Sequence, residues 1–163
     1  MRFHLTALLA VAALFALGGG GAWAQQVTVK ATHGDWQIQC PPNVSETNPC
    51  AMVQELVTEQ DRRVLSAIII NPPGGEPFLR IIVPLGILLP GGMTLTIDGA
   101  EVGTVGFINC LPDGCMTQVA LKPEVLEQFK AGSQAVVRIY EQTEQAVDLP
   151  VSLNGFTAAY GEL

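Results

Sequence analysis

Asp35-Trp36-Gln37-Ile38-Gln39-Cys40 alternates strictly: Trp36, Ile38 and Cys40 share one side of an extended chain, and Asp35, Gln37 and Gln39 share the other. A period of two predicts a half-buried strand. Met93-Thr94-Leu95-Thr96-Ile97-Asp98 repeats it, with Met93, Leu95 and Ile97 inward and Asp98-Gly99 forming a turn. Val147, Leu149, Val151 and Leu153 alternate with Asp148, Pro150 and Ser152. Pro150 has no amide hydrogen to give a ladder, so this strand is expected at a sheet edge or with that nitrogen facing outward.

Other strands are less regular. Residues 51–57 and 63–71 read as a pair, the second carrying the β-branched run Ile68-Ile69-Ile70 before the breaker Pro72-Pro73-Gly74-Gly75. Residues 78–83 follow, and residues 107–110 and 115–121 flank the turn sequence Leu111-Pro112-Asp113-Gly114. Residues 134–141 form one more strand. Residues 122–132 predict a short helix, with Pro123 in the first turn, Glu124 early, Lys130 late and Gly132 as the stop. About nine short strands and one helix predict an all-β fold, an antiparallel β-sandwich.

The first residues predict where that domain works. Arg2 supplies a basic start, residues 5–17 an apolar stretch, and Ala22-Trp23-Ala24 before Gln25 a small-x-small cleavage site. The apolar stretch is shorter than the roughly 20 residues a membrane span needs, so it reads as an export signal and not as an anchor. The expected organisation is a cleaved signal over residues 1–24 and a single disulfide-stapled β-sandwich domain over residues 25–163, with no transmembrane anchor after cleavage. Loss of Arg2 takes the formal net charge from −7 to −8. The remaining cations are scattered, Arg62-Arg63 being the one adjacent pair, and clustered cations are what phosphate binding requires. Nucleic acid is therefore excluded as an expected partner.

Cys40, Cys50, Cys110 and Cys115 all follow the predicted cleavage site, an even number suited to an oxidising compartment. Four cysteines allow three pairings. The local ones, Cys40 with Cys50 and Cys110 with Cys115, are favoured because each brackets turn-rich sequence. Loop entropy assigns them about 2.8 and about 2.2 kcal/mol. Spacers of this kind do not match the usual zinc knuckles, and neither pair has the C-x-x-C form of a redox motif.

Catalysis needs a constellation, and few members are present. His33 is the one histidine after the predicted cleavage site; it is read as solvated, and no serine sits in a G-x-S-x-G elbow. Asp98 and Asp113 each precede glycine and read as turn formers. Glu124 and Glu127 read as helix surface charges, and Glu141 and Glu144 as flanks of a hairpin turn. The expectation is no catalytic residue, no metal site, no cofactor and no enzymatic activity. Ile81-Ile82-Val83-Pro84-Leu85-Gly86-Ile87-Leu88-Leu89-Pro90 is the unusual stretch. It is read first as core strands joined by a proline-bent corner. Leu85, Ile87, Leu88 and Leu89 are the candidate interaction patch if the corner is exposed.

The order of several motifs resembles the invasion-associated locus B family. They are Trp36 followed by Cys40 and Cys50; Pro84-Leu85-Gly86-Ile87 with residues 93–99; the hairpin from Phe107-Ile108-Asn109-Cys110 to Gly114-Cys115; and Ser152-Leu153-Asn154-Gly155-Phe156. The resemblance spans roughly residues 35–159. It implies a small exported protein of Gram-negative bacteria with a sandwich-like fold and no established catalytic residues. The expected function is a non-enzymatic binding protein, periplasmic or secreted, including outer-membrane association, whose partner is an unknown protein or envelope component. The alternatives are a host-cell attachment or invasion accessory factor, which rests on the family analogy, and an envelope hydrolase whose site is not recognisable in sequence.

Overall fold

The strands are short because turn residues interrupt the alternation every few positions, and their buried stripes fit only if two sheets face one another. The computed structural model describes residues 27–142 and 145–163. The predicted signal, with Ala22, Ala24 and Gln25, and the turn residue Glu144 lie outside the described residues. Among those described, the strands are β1 (Thr28–His33), β2 (Trp36–Cys40), β3 (Ala51–Val57), β4 (Arg63–Ile70), β5 (Phe78–Val83), β6 (Met93–Ile97), β7 (Ala100–Val105), β8 (Asn109–Leu111), β9 (Gly114–Ala120), β10 (Gln134–Gln142) and β11 (Gln145–Ser152). Helix α1 (Pro123–Ala131) joins β9 to β10, and the short helix α2 (Phe156–Tyr160) follows β11. One sheet has seven strands in the order β1-β2-β3-β4-β5-β9-β8; the other has four, β11-β10-β6-β7. Every pairing is antiparallel, so the fold is the expected sandwich.

The inward stripes are those the alternation marks. Trp36, Ile38 and Cys40 from β2 meet Met93, Leu95 and Ile97 from β6 in one core. Pro150 sits on β11, an edge strand. Two strands and a helix go beyond the sequence reading. Neither β1 nor β7 has a fully buried residue, so neither shows a clean apolar stripe. α2 is five residues long, too brief for a helical period to register.

α2 nevertheless closes one end of the sandwich. Phe156 stacks on Phe129 of α1 with ring centroids 5.1 Å apart, and meets the edge of Trp36 at 5.5 Å. Gly155 makes this approach possible. Its φ is +83°, and a side chain there would collide with the His33 carbonyl at the β1–β2 turn. Polar groups finish the joint. Trp36 Nε1 and Gln54 Nε2 both donate to the Ser152 carbonyl at 2.9 Å, and the Ser152 amide donates to Gln54 Oε1 at 2.8 Å. A side-chain amide thus supplies the hydrogen bonds a neighbouring strand would otherwise give to the end of β11.

The outer face of the four-stranded sheet is polar. Thr94 and Thr104 share a hydroxyl hydrogen bond of 2.8 Å, and Arg138 forms a two-pronged pair with Asp148 at 2.6 and 2.7 Å. The hydrogen bond from Arg138 holds the Asp148 carboxyl below its ordinary value.

Candidate functional site

The run from Pro84 to Gly92 carries the chain from β5 in one sheet to β6 in the other. Pro84 ends β5, Gly86 turns at a φ of +92°, and Leu89–Gly91 forms a single 3-10 turn with Pro90 inside it. The Leu88 amide donates to the Tyr140 carbonyl at 2.6 Å, anchoring the corner to β10. These ties divide the four candidate patch residues. Ile87 packs against the core and Leu88 is half-buried, whereas Leu85 is 55% exposed and Leu89 45%. The corner is therefore a structural crossing that also presents apolar side chains to solvent.

Leu85 stands between two hollows. The larger, about 510 Å³, lies where the β3–β4 turn, the β5–β6 corner and the β8–β9 turn converge; Val57, Val64, Pro84, Leu85 and Pro112 form its apolar wall. The smaller, about 100 Å³, is lined on its far side by Ile87, Ile139, Val147 and Leu149. The larger is an open depression on the surface and not an enclosed cavity. Arg62, Arg63, Glu55 and Asp61 edge it. These charges are partly engaged with one another: Arg63 lies 3.4 Å from Glu55 and donates to the Asp113 carbonyl at 3.3 Å, and the Ser66 hydroxyl donates to Glu55 at 3.2 Å.

The groups with catalytic potential are spent elsewhere. His33 Nε2 meets Glu162 Oε1 at 2.6 Å, and the Ser152 hydroxyl donates directly to Asp35 Oδ2 at 2.6 Å. The serine is thus bonded to one carboxylate and the histidine to another, so the three types are not joined as nucleophile, base and orienter. Asp98 accepts from the Ser133 and Gln134 amides at 3.0 Å, tying its turn to the start of β10. Among the described residues no group of three or more His, Cys, Asp or Glu side chains is disposed to hold a metal ion. Cys40 is bonded to Cys50 and Cys110 to Cys115, with S–S distances of 2.01 and 2.06 Å, and none of the four is free. Among the described residues no helix is long and apolar enough to cross a membrane.

Sequence reasoning named Leu85 and missed Val57, Val64 and Pro112. Their signals were ordinary: a strand-end valine, a strand-start valine and a turn proline. Only the pairing of β4 with β5, and of β5 with β9, brings three distant turns to one end of the sheet.

Residues 36–163 match the model of the family described as Invasion associated locus B (IalB) protein. An Invasion protein B homolog of Brucella abortus (strain 2308) is 32% identical over 161 residues, covering 98% of this chain and 90% of the relative. Invasion protein B of Bartonella bacilliformis is 28% identical over 137 residues, covering 81% of this chain and 73% of that protein. The crystal structure of invasion associated protein b from Bartonella henselae superposes with a TM-score of 0.71 at 24% identity, over 81% of this chain and 93% of that one, and shares the fold. The chain belongs to the invasion associated locus B family.

Proposed function

We propose that this chain is an exported, non-enzymatic binding protein of the bacterial periplasm or outer envelope, and that it docks a protein or envelope component at the β5–β6 corner. The observation that carries the reading is the apolar wall of Val57 and Leu85, 50% and 55% exposed, standing at the mouth of the 510 Å³ hollow. Exposed apolar side chains cost solvation unless something covers them, and clusters of them mark docking sites. Paired cysteines support an oxidising compartment. The polar groups at the hollow edge bond to one another, which suits recognition better than proton transfer.

A photoreactive residue placed at position 85 tests the reading in intact cells. A reproducible adduct there, absent when the same residue stands at position 96 on the polar sheet, is expected. No adduct at 85, or equal labelling at both positions, overturns it. Sequencing the exported protein tests the compartment: its first residue is expected to be Gln25.

The names of the Brucella and Bartonella relatives favour a second reading, an accessory role in host-cell attachment or invasion. Deleting the gene and finding host entry unchanged removes that reading while leaving the first intact.

A further inference from the structure

The two outer faces of the sandwich are chemically unlike. On the four-stranded sheet Thr94, Thr96, Thr104 and the Arg138–Asp148 ion pair share the outward positions with Val136, Tyr140, Ala146 and Pro150. On the seven-stranded sheet, burial of Leu65, Ala67 and Ile69 turns Ser66, Ile68 and Ile70 outward, and the register carries that phase across its neighbours. Val53, Ile68, Arg80 and Gln118 form one outward row; Glu55, Ser66, Ile82 and Met116 form the next. Phe78 and Ile70 begin a third. Val53 and Ser66 are already covered by their neighbours, at 8% and 2% exposure, whereas Ile68, Phe78, Ile82 and Met116 remain part-exposed.

Charge is nearly absent from this face. The chain has 15 acidic residues, yet Glu55 is the one acid among the outward positions of β3, β4, β5 and β9; the bases are Arg80 and, at the start of β4, Arg63, which lies 3.4 Å from Glu55. Depletion of charge with Phe, Met and Arg at the centre is the composition of an interface core. Arg80 lies 5.6 Å from the Phe78 ring centre and donates to the neutral Gln118 Oε1 at 3.2 and 2.8 Å. It has no carboxylate within 4.0 Å among the described residues.

We propose that two copies of this chain pair through the outer face of the seven-stranded sheet, each Arg80 seated over the second copy's Glu55. Arg80 and Glu55 lie two strands and one row apart, with β4 between them. A two-fold axis lying in the face and passing over β4 between Ser66 and Ile68 exchanges the two positions. This is the self-complementarity that an isologous dimer requires. Seven strands about 4.8 Å apart and roughly 20 Å long give a face of about 670 Å², of which the low-charge centre on β3, β4, β5 and β9 makes up about 380 Å². The whole face approaches the roughly 800 Å² per partner of a standard interface. The near-neutral face also lets two acidic molecules approach without opposing their carboxylates. The hollow beside Leu85 opens at the end of this face and shares Glu55 and Ile82 with it, so Arg80→Glu, remote from the hollow, is the variant that separates pairing from docking.

Sedimentation equilibrium of the exported, disulfide-bonded chain tests the proposal. A dimer is expected, weakened at least about tenfold by Arg80→Glu or by Glu55→Arg and regained in the double variant. Ile68→Glu is expected to give monomer, and Thr96→Glu on the other sheet to change nothing. Circular dichroism and thermal melting establish that each variant is folded; the charge-swap rescue gives the answer even if Ile68→Glu does not fold. A wild-type monomer at roughly 100 μM overturns the proposal and leaves the face to a different protein. A dimer indifferent to Arg80→Glu, or a double variant that fails to regain pairing, overturns it equally.

Discussion

Replacing Cys40 and Cys50 together by alanine is expected to cost markedly more than replacing Cys110 and Cys115, although loop entropy alone separates the pairs by only about 0.6 kcal/mol. Cys40 is 1% exposed and lies in the core at the end of β2; Cys50 packs against the same core just before β3. Removing that bond releases about 2.8 kcal/mol of unfolded-state restriction and leaves a small void worth about 1 kcal/mol. For a domain of this length, roughly 3.5 °C of Tm accompanies each kcal/mol, so a drop of roughly 13 °C is expected. Cys115 is 2% exposed and leaves a comparable core void of about 1 kcal/mol, but Cys110 sits on β8, three exposed residues at the edge of the large sheet, paired only with β9. Without its bond β8 can fray while the rest stays folded, and the native state then recovers much of the entropy the unfolded state gains. The expected Tm loss is about 4–7 °C, roughly half the first pair's or less, with faster amide exchange confined to β8 and the start of β9. Thermal melts of both double variants, with hydrogen exchange on the second, check this. Equal losses of Tm, or a large loss with β8 still protected, refute the reasoning.

Gln54→Ala removes both hydrogen bonds to the Ser152 backbone and is expected to cost about 2 kcal/mol in urea unfolding; a cost under about 0.5 kcal/mol would show that water replaces the side-chain amide. Gly155→Ala forces a side chain into the His33 carbonyl at a φ of +83° and is expected to cost about 2–4 kcal/mol. Gly74→Ala, at a φ of +69° in open space, is expected to cost only about 1 kcal/mol, and calorimetry of the pair separates collision from backbone preference. The Arg138 hydrogen bond lowers the folded-state pKa of Asp148 below its unfolded value. Its contribution is therefore present above the unfolded value and lost as pH falls through the folded one. Both side chains are 49% exposed, so Asp148→Asn is expected to lower stability slightly at neutral pH, less in molar salt, and not at all at the acid end. Urea midpoints against pH measure this, and a deficit that persists unchanged into strong acid contradicts it.

Much of the architecture is legible in particular residues. The phase of Trp36, Ile38 and Cys40 is set within six positions, because a strand places alternate side chains on opposite faces whatever its partners are. The helix from Pro123 to Ala131 is marked by its own proline, terminal charges and closing glycine. Two other elements carry no such local signal. β1 is an edge strand with four exposed and two half-buried residues, so nothing in it alternates between water and core. Phe156 to Tyr160 becomes helical where Gly155 lets it dock beneath Trp36.

Local periodicity, turn chemistry and cysteine spacing were thus enough to specify a two-sheet β domain, since each depends on neighbours a few residues away. The hollow at Leu85 and the apolar outer face depend on which strands become neighbours. Val57, Leu85 and Pro112 lie tens of residues apart and meet only because β5 pairs with both β4 and β9. The outward run of Val53, Ile68, Arg80 and Ile82 exists as a surface only once the register is fixed, and register is a property of the folded sheet.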